Sequence, residues 1–224
     1  MADITIYLGN KNYSSWSLRP WLALKQTGAP FEEVVIPLYQ ADSAAALRRI
    51  SPSGKVPALR HGEVLVWESL AICEYLAEAF PEAGLWPADR EARAMARAVS
   101  AEMHAGFAAL RQNLPMDLSR HKPQPECVAK AAADIDRVTT IWRDCRRRVG
   151  DAGGSGDFLF GGFCIADAMF APVVARFRSY GVTLDPVSAA YADAVWNWPA
   201  MREWAAAAEA EPWIIRFDAV DENK

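Results

Sequence analysis

The chain has 224 residues, a formal net charge of −4 and 52% hydrophobic residues, enough for two modest domains with a sizeable core. No long basic run favours a nucleic-acid partner, and no apolar stretch reaches the ~18 residues that a membrane span needs. Four widely spaced cysteines without a CxxC pair and three isolated histidines predict neither a disulfide scaffold nor a metal site, and a reducing, cytoplasmic location is expected.

The first 80 residues carry alternating strand and helix signals in the order βαβαββα. The strands are predicted at 4–8, 33–37, 57–60 and 64–67, and the helices at 18–27, 43–50 and 69–79. Pro20 is compatible with the first helix if Ser17 is its N-cap, because the first-turn N–H groups have no intrahelical partner. Ser69 is expected to cap the third helix.

The strand signals stop at residues 81–87, whose composition predicts a linker. Helices are expected from a cap at Asp89 to about 113, and then at 125–149, 165–180, 188–196 and 199–210. The sequence thus predicts an α/β domain at 1–80, the linker 81–87, and an all-helical domain at 88–224 that contributes a second-substrate pocket.

Two short motifs predict a peptide-binding site. Pro57 cannot donate to a sheet ladder, and a cis Val56–Pro57 bond would leave the backbone of Val56 free to grip an extended peptide. Glu68 and Ser69 stand at the start of a predicted helix, where free N–H groups stabilise an anion. The expected ligand is a small peptide with the charges of a free amino acid.

The element order and three motifs together resemble the cytosolic glutathione transferases. The motifs are Gly54-Lys55-Val56-Pro57, Glu68-Ser69, and Phe163-Cys164-Ile165-Ala166-Asp167, and the resemblance covers about residues 4 to 215. It implies a thioredoxin-like α/β domain followed by an all-α helical bundle domain. It also implies glutathione as co-substrate, no metal, and a homodimer.

The resemblance assigns roles to the motif residues. Val56, before Pro57, would pair its backbone with the cysteinyl unit of glutathione. Glu68 and Ser69 would hold the γ-glutamyl ammonium and carboxylate, and Lys55 would face the glycine end. Lys55 as a solvated surface lysine and Ser69 as a simple cap remain open.

The loop from Asn12 to Arg19 resembles the Ser-Ser-Cys-Ser-Trp-Arg stretch of the zeta class, the maleylacetoacetate isomerases. Alignment on the arginine selects Ser14 as the hydroxyl that stabilises the glutathione thiolate, with Ser15, Tyr13 or backbone N–H groups as alternatives. Trp16 departs from the motif, which has cysteine there. Ser14 cannot form a mixed disulfide, so thiol exchange is disfavoured.

A second-substrate pocket is expected between the two domains. Its predicted lining is Trp16, Met103, His104, Phe107 and Arg111. Arg111 would receive an acidic substrate or form a salt bridge to another helix. The expected function is conjugation of glutathione to a small electrophile, or glutathione-assisted isomerisation of one. The alternative is a non-catalytic ligand-binding or stress-related protein on the same fold.

Overall fold

A computed structural model describes residues 3–217. Its strands β1 (Ile4–Leu8), β2 (Glu32–Val35), β3 (Ala58–His61) and β4 (Val64–Trp67) form one sheet in the order β2-β1-β3-β4. β1 pairs with β2 in parallel, while the β1–β3 and β3–β4 pairs are antiparallel. Helices α1 (Ser15–Thr27), α2 (Ser43–Ile50) and α3 (Ser69–Ala79) complete the predicted βαβαββα order. The thioredoxin-like fold is therefore confirmed.

The rest of the described chain is helical. After a 3₁₀ turn at Pro81–Ala83 come α4 (Arg90–Ala105), α5 (Ala108–Asn113), α6 (Pro125–Lys130), α7 (Ala132–Asp151), α8 (Ile165–Tyr180), α9 (Pro186–Asn197) and α10 (Pro199–Glu209). α8 is buried along nearly its whole length and packs against α1 and α4, so it joins the sheet region to the helices. Within residues 3–217, no helix is both long and apolar enough to cross a membrane.

The predicted start of α1 is wrong. The helix begins at Ser15, and its N-cap is Ser14, whose Oγ accepts a hydrogen bond from the Ser17 N–H at 3.3 Å. Pro20 consequently lies inside the helix rather than in its first turn. The burial of Leu18 and Leu22 on this helix explains why tertiary packing outweighs the local cost of the proline.

The predicted cap of α3 is also wrong. Glu68 is the N-cap, and its side chain accepts from the Leu70 N–H at 3.3 Å. Ser69 is the first helical residue, and its buried Oγ has no partner in the described part of the chain. N-cap preference favours Ser over Glu, so the cap by Glu68 depends on the contacts of this particular turn and not on propensity.

Two predicted long helices are each broken. The helix from Asp89 ends at Ala105, because Phe107 adopts a left-handed conformation with φ of 61°. The helix predicted from 125 to 149 is interrupted at Ala131, between α6 and α7. The apolar spacing continues across both breaks, so periodicity does not reveal them.

Asp167 caps α8. Its Oδ2 accepts from the Cys164 N–H at 2.8 Å, and its Oδ1 accepts from the Leu159 N–H at 3.0 Å. Burial raises the pKa of this carboxyl to about 6, against the opposing effect of those two N–H groups. The cap therefore ties the preceding loop to the central helix.

Candidate active site

Ser14 stands at the positive end of α1, between β1 and the helix. It is 7% exposed, and its Oγ lies 2.8 Å from the Oγ of Ser17. The Ser17 Oγ also accepts the Gly9 N–H at 3.0 Å. Because a hydroxyl hydrogen rotates to suit its partners, Ser17 can donate to Ser14 when Ser14 donates elsewhere. Sequence reasoning treated Ser17 only as a cap and missed this pair.

A cavity of about 710 Å³ opens in front of Ser14. Trp16 lines it beside Ser14, and the opposite rim is formed by parts of the segment 38–56, including Lys55 and Val56. The Val56–Pro57 bond is cis, as the sequence analysis anticipated. In residues 3–217 the backbone N–H and C=O of Val56 have no hydrogen-bond partner, although Pro57 is buried behind them. Val56, with an unpaired backbone, and the hydroxyl-bearing Ser14 therefore line the same cavity.

Glu68 and Ser69 lie outside the lining of this cavity, at the junction of β4 and α3. Glu68 has a positive φ of 80°, which costs a non-glycine residue of order 1–3 kcal/mol. Its carboxylate lies 3.2 Å from Nε2 of His104, and the His104 ring makes an edge contact with Trp16 at 5.2 Å. Trp16 and His104 thus connect the cavity to Glu68.

The other members of the predicted second-substrate pocket take different positions. Met103 and Phe107 are buried in the hydrophobic core, with 1% and 7% of their surface exposed. Arg111 donates to the carbonyl oxygens of Met103 and Gly106 and lies 4.8 Å from the centre of the Trp16 ring. The guanidinium therefore caps the C-terminus of α4 and at the same time packs against a cavity wall.

Three arginines surround the start of α1. Arg19 is fully buried 4.5 Å from the Trp16 ring centre, and its guanidinium has no hydrogen-bond partner among the described residues. Arg176 donates to the Ser15 Oγ at 3.2 Å, and burial, together with Arg111, lowers its pKa to about 9. Burial likewise lowers the pKa of Arg19 and Arg111. The combined positive charge and helix N-terminus favour an anion near Ser14.

The loop before Ser14 is held by two residues in and just after α10, Trp204 and Glu211. The Glu211 carboxylate accepts the N–H groups of Lys11 and Asn12 at 2.7 and 3.2 Å, and the Trp204 indole donates to the Lys11 carbonyl at 2.9 Å. The Lys11 ammonium lies 5.3 Å from the ring centre of Trp204 and forms an ion pair with Glu33 at 2.5 Å. No sequence pattern indicates contacts between residues about 200 positions apart, so the contact of Glu211 with this loop could not be predicted.

Metal chemistry has no obvious ligand set here. In the described part of the chain, histidine, cysteine, aspartate and glutamate side chains form no group of three suited to a metal ion. The hydroxyl, the unpaired backbone edge and the nearby cations instead suit a ligand that carries an ionisable thiol on a peptide backbone.

Comparison with known proteins shows which proteins this arrangement resembles. Residues 13–79 match the family model for the glutathione S-transferase N-terminal domain. A glutathione transferase homologue from Burkholderia, solved with bound glutathione, superposes with a TM-score of 0.66 at 27% identity, covering 93% of this chain and 99% of that one.

Curated relatives extend the match to the zeta class. Glutathione S-transferase Z2 of Arabidopsis thaliana is 27% identical over 186 residues, 79% of this chain and 80% of that protein. A probable maleylacetoacetate isomerase of Caenorhabditis elegans is 38% identical over 93 residues, 42% of each chain. The first three curated relatives are matched over only 33% to 42% of their own length. With the fold, these matches show that residues 13–79 are of the glutathione S-transferase N-terminal domain type, and that the chain is similar to glutathione transferases over most of its length.

Proposed function

We propose that this protein is a glutathione transferase, which activates the thiol of glutathione for conjugation to, or isomerisation of, a small electrophile. The observation that carries the proposal is the single cavity that Ser14 lines together with Val56, whose backbone is unpaired among the described residues. Bound glutathione in the Burkholderia relative supports the same ligand here.

Glutathione is proposed to lie along the rim of the cavity. Its cysteinyl unit pairs with the Val56 backbone next to Pro57, and Lys55 faces its glycine carboxylate. The γ-glutamyl ammonium and carboxylate lie at Glu68 and Ser69. The Ser69 Oγ, which is buried and unpartnered among the described residues, supports this placement, since a buried hydroxyl without a partner costs free energy until a ligand satisfies it.

Ser14 is proposed to stabilise the thiolate. A free thiol with a pKa of about 8.5 is only a few per cent ionised at pH 7, and lowering its pKa by about two units requires roughly 2.7 kcal/mol. Ser14 donates to the sulfur, Ser17 turns to donate to Ser14, and the N-terminus of α1 adds its dipole. The side chains of Ser15 and Tyr13 and local N–H groups are the alternative donors.

The electrophile is proposed to enter beside Trp16, with His104, Met103, Phe107 and Arg111 forming or supporting that side of the site. The buried Arg19 and Arg176 and the half-buried Arg111 favour an electrophile with an acidic group. The zeta-type relative named as a maleylacetoacetate isomerase supports isomerisation as one reaction of this kind. Trp16 replaces the motif cysteine, so a mixed disulfide at this position is excluded.

We also propose a cytoplasmic homodimer that acts in detoxification. The composition and cysteine usage support the compartment, and the family supports the assembly. Sedimentation at micromolar concentration should give a mass near twice 24.7 kDa. A persistent monomer would count against the dimer without affecting the glutathione site.

Glu68→Ala tests the binding site. Loss of a charge-assisted partner of the ammonium, worth roughly 1.5–3 kcal/mol, should weaken glutathione binding at least about tenfold in calorimetry. Glu68→Gln is the matched variant, because it keeps an oxygen that can cap α3 but loses the charge. Equal affinity of the parent and both variants would contradict the site.

Aryl halide turnover with glutathione separates the candidate functions. Binding with turnover supports the transferase. Binding without turnover across several electrophile classes supports the alternative, a non-catalytic ligand-binding protein. Absence of binding supports a stress-related protein on this fold.

A further inference from the structure

The environment of Glu68 contains a partner that comes from a distant part of the chain. Glu68 lies where β4 passes into α3, whereas His104 is the penultimate residue of α4. Their contact at 3.2 Å joins His104 Nε2 to Glu68 Oε2. Both side chains are partly exposed, by 27% and 48% respectively, so a ligand can reach them.

His104 meets the carboxylate through Nε2, which lies 3.2 Å from Glu68 Oε2. A carboxylate oxygen accepts hydrogen bonds, so an N–H at Nε2 is the group through which His104 can interact with Glu68. The other ring nitrogen, Nδ1, is buried and has no partner among the described residues. Trp16 packs against the ring with its edge at 5.2 Å, which fixes the orientation of the imidazole.

The backbone near His104 is also anchored. Arg111 donates to the carbonyl oxygens of Met103, His104 and Gly106, where α4 ends. These bonds satisfy carbonyl groups that a helix terminus leaves without partners. The imidazole therefore extends from a fixed helix end and not from a loop.

The two oxygens of Glu68 have different surroundings. Oε2 accepts a hydrogen bond from the Leu70 N–H at 3.3 Å and lies 3.2 Å from Nε2 of His104. Oε1 has no hydrogen-bond or ion-pair partner in residues 3–217. The protein thus fixes the carboxylate plane through one oxygen and leaves the other available for an ammonium group.

We infer that His104 is a positioning residue for glutathione recognition, which orients the Glu68 carboxylate toward the ligand's γ-glutamyl ammonium. The inference rests on the proposed function, and it gives His104 a role distinct from lining the second-substrate pocket. His104 acts through Glu68, so it governs glutathione affinity and not the chemical step. Through this residue the helical part of the chain contributes to a site that otherwise belongs to the sheet region.

The test compares His104→Leu with His104→Gln. Leucine cannot donate to Glu68, and we expect the glutathione Kd, measured by calorimetry without an electrophile, to rise about tenfold. Glutamine places an amide N–H near the position of Nε2 and should restore most of the affinity. Matched control His61→Leu removes another histidine–carboxylate contact, that with Asp3 at 3.5 Å, and should leave the glutathione Kd unchanged.

A double variant decides whether His104 acts through Glu68. In Glu68→Ala/His104→Leu, glutathione binding should be no weaker than in Glu68→Ala alone, because the partner is already missing. Additive losses would overturn the inference, as would a fall in kcat with unchanged Kd in His104→Leu. If His104→Leu does not fold, His104→Asn is used in its place, since its shorter amide does not reach the carboxylate.

The outcome also separates this inference from the proposed function. If calorimetry shows no glutathione binding to the parent protein, the proposed function fails. If the parent binds glutathione and Glu68→Ala weakens that binding while His104→Leu does not, only the role of His104 is overturned.

Discussion

The two walls of the cavity are built differently. On one side, the loop around Ser14 is held by the N–H groups of Lys11 and Asn12, which donate to the Glu211 carboxylate. These two residues are 200 and 199 positions from Glu211 in the sequence. On the other side, the hydrogen bonds of residues 40–55 in the described structure join groups no more than six residues apart, while the Leu38 N–H at the start of this rim donates to Asn10 Oδ1, 28 residues away, at 2.8 Å. Tyr39 on this rim is 83% exposed.

This difference suggests a division of roles. A hydroxyl that stabilises a thiolate must be held in position, and long-range contacts with a buried lysine and tryptophan provide that rigidity. A rim that binds the peptide backbone can adapt locally, because backbone pairing tolerates small shifts. Changes in the loop wall should therefore reduce turnover, while changes in the rim should reduce glutathione affinity.

Ser14→Ala should have the largest effect. Loss of the donor should raise the pKa of the bound glutathione thiol by as much as about two units and lower turnover at pH 7 by as much as about 25-fold, the fall in the thiolate fraction, with little change in glutathione affinity. The pH profile of turnover should shift to higher pH, because the thiol then ionises only in more alkaline solution.

Two variants control for the loss of the helix cap. Ser14→Thr keeps a capping hydroxyl and should retain more activity than Ser14→Ala. Ser15→Ala should have the milder effect and leave the pH profile in place. A large pH shift in Ser15→Ala or Tyr13→Phe would assign the hydroxyl differently, and no shift in any variant would leave backbone N–H groups as the donors.

Glu211→Ala should have an intermediate effect. It tests whether the hydrogen bonds that Glu211 accepts from Lys11 and Asn12 are needed for stability and turnover. Two N–H groups of the loop lose a charged acceptor, so the free energy of unfolding should fall by about 2 kcal/mol. Turnover should fall about tenfold, since a misplaced hydroxyl stabilises the thiolate less well. Denaturant unfolding and steady-state kinetics measure the two effects. Glu209→Ala, which changes an exposed neighbour, is the matched control. Equal unfolding free energy and equal turnover of the two variants would refute the role of Glu211.

Lys55→Ala should have the smallest effect. An exposed ion pair with the glycine carboxylate contributes about 0.2–1 kcal/mol, so glutathione Kd should rise no more than about fivefold with kcat unchanged. The difference from the parent should shrink as salt is added, because salt screens exposed charges. Exposed Lys122→Ala is the control. If Kd in low salt is the same in all three proteins, Lys55 is a solvated surface residue.

Much of the fold could be predicted because its signals are local. Alternating apolar residues marked β1, and the glycine at 28 marked the end of α1, where it adopts φ of 69°. The helix breaks at Phe107 and Ala131 escaped prediction, because the apolar spacing continues through them. The caps were misplaced by one residue at Ser69 and by three at Ser17, where several capping residues stand close together.

The candidate site was predictable only in part. Ser14, Trp16, Lys55 and Val56 were named from motifs, and the structure brings them to one cavity. Three features were not visible in the sequence: the hydrogen bonds that Glu211 accepts from the loop before Ser14, the contact between His104 and Glu68, and the buried Arg19 without a hydrogen-bond partner among the described residues. Each feature depends on which elements, far apart in the sequence, pack against one another, and no local sequence pattern predicts that packing.

The burial of the four cysteines has a practical consequence for any thiol chemistry studied with this protein. Cys73, Cys127, Cys145 and Cys164 are all buried and free. Burial raises the pKa of Cys145 to about 12 and raises that of Cys73 and Cys164 as well. Alkylating compounds should therefore find little reactive thiolate on the folded protein, which protects it from inactivation by added electrophiles. A colorimetric thiol assay on the native protein should correspondingly report added glutathione over a low background.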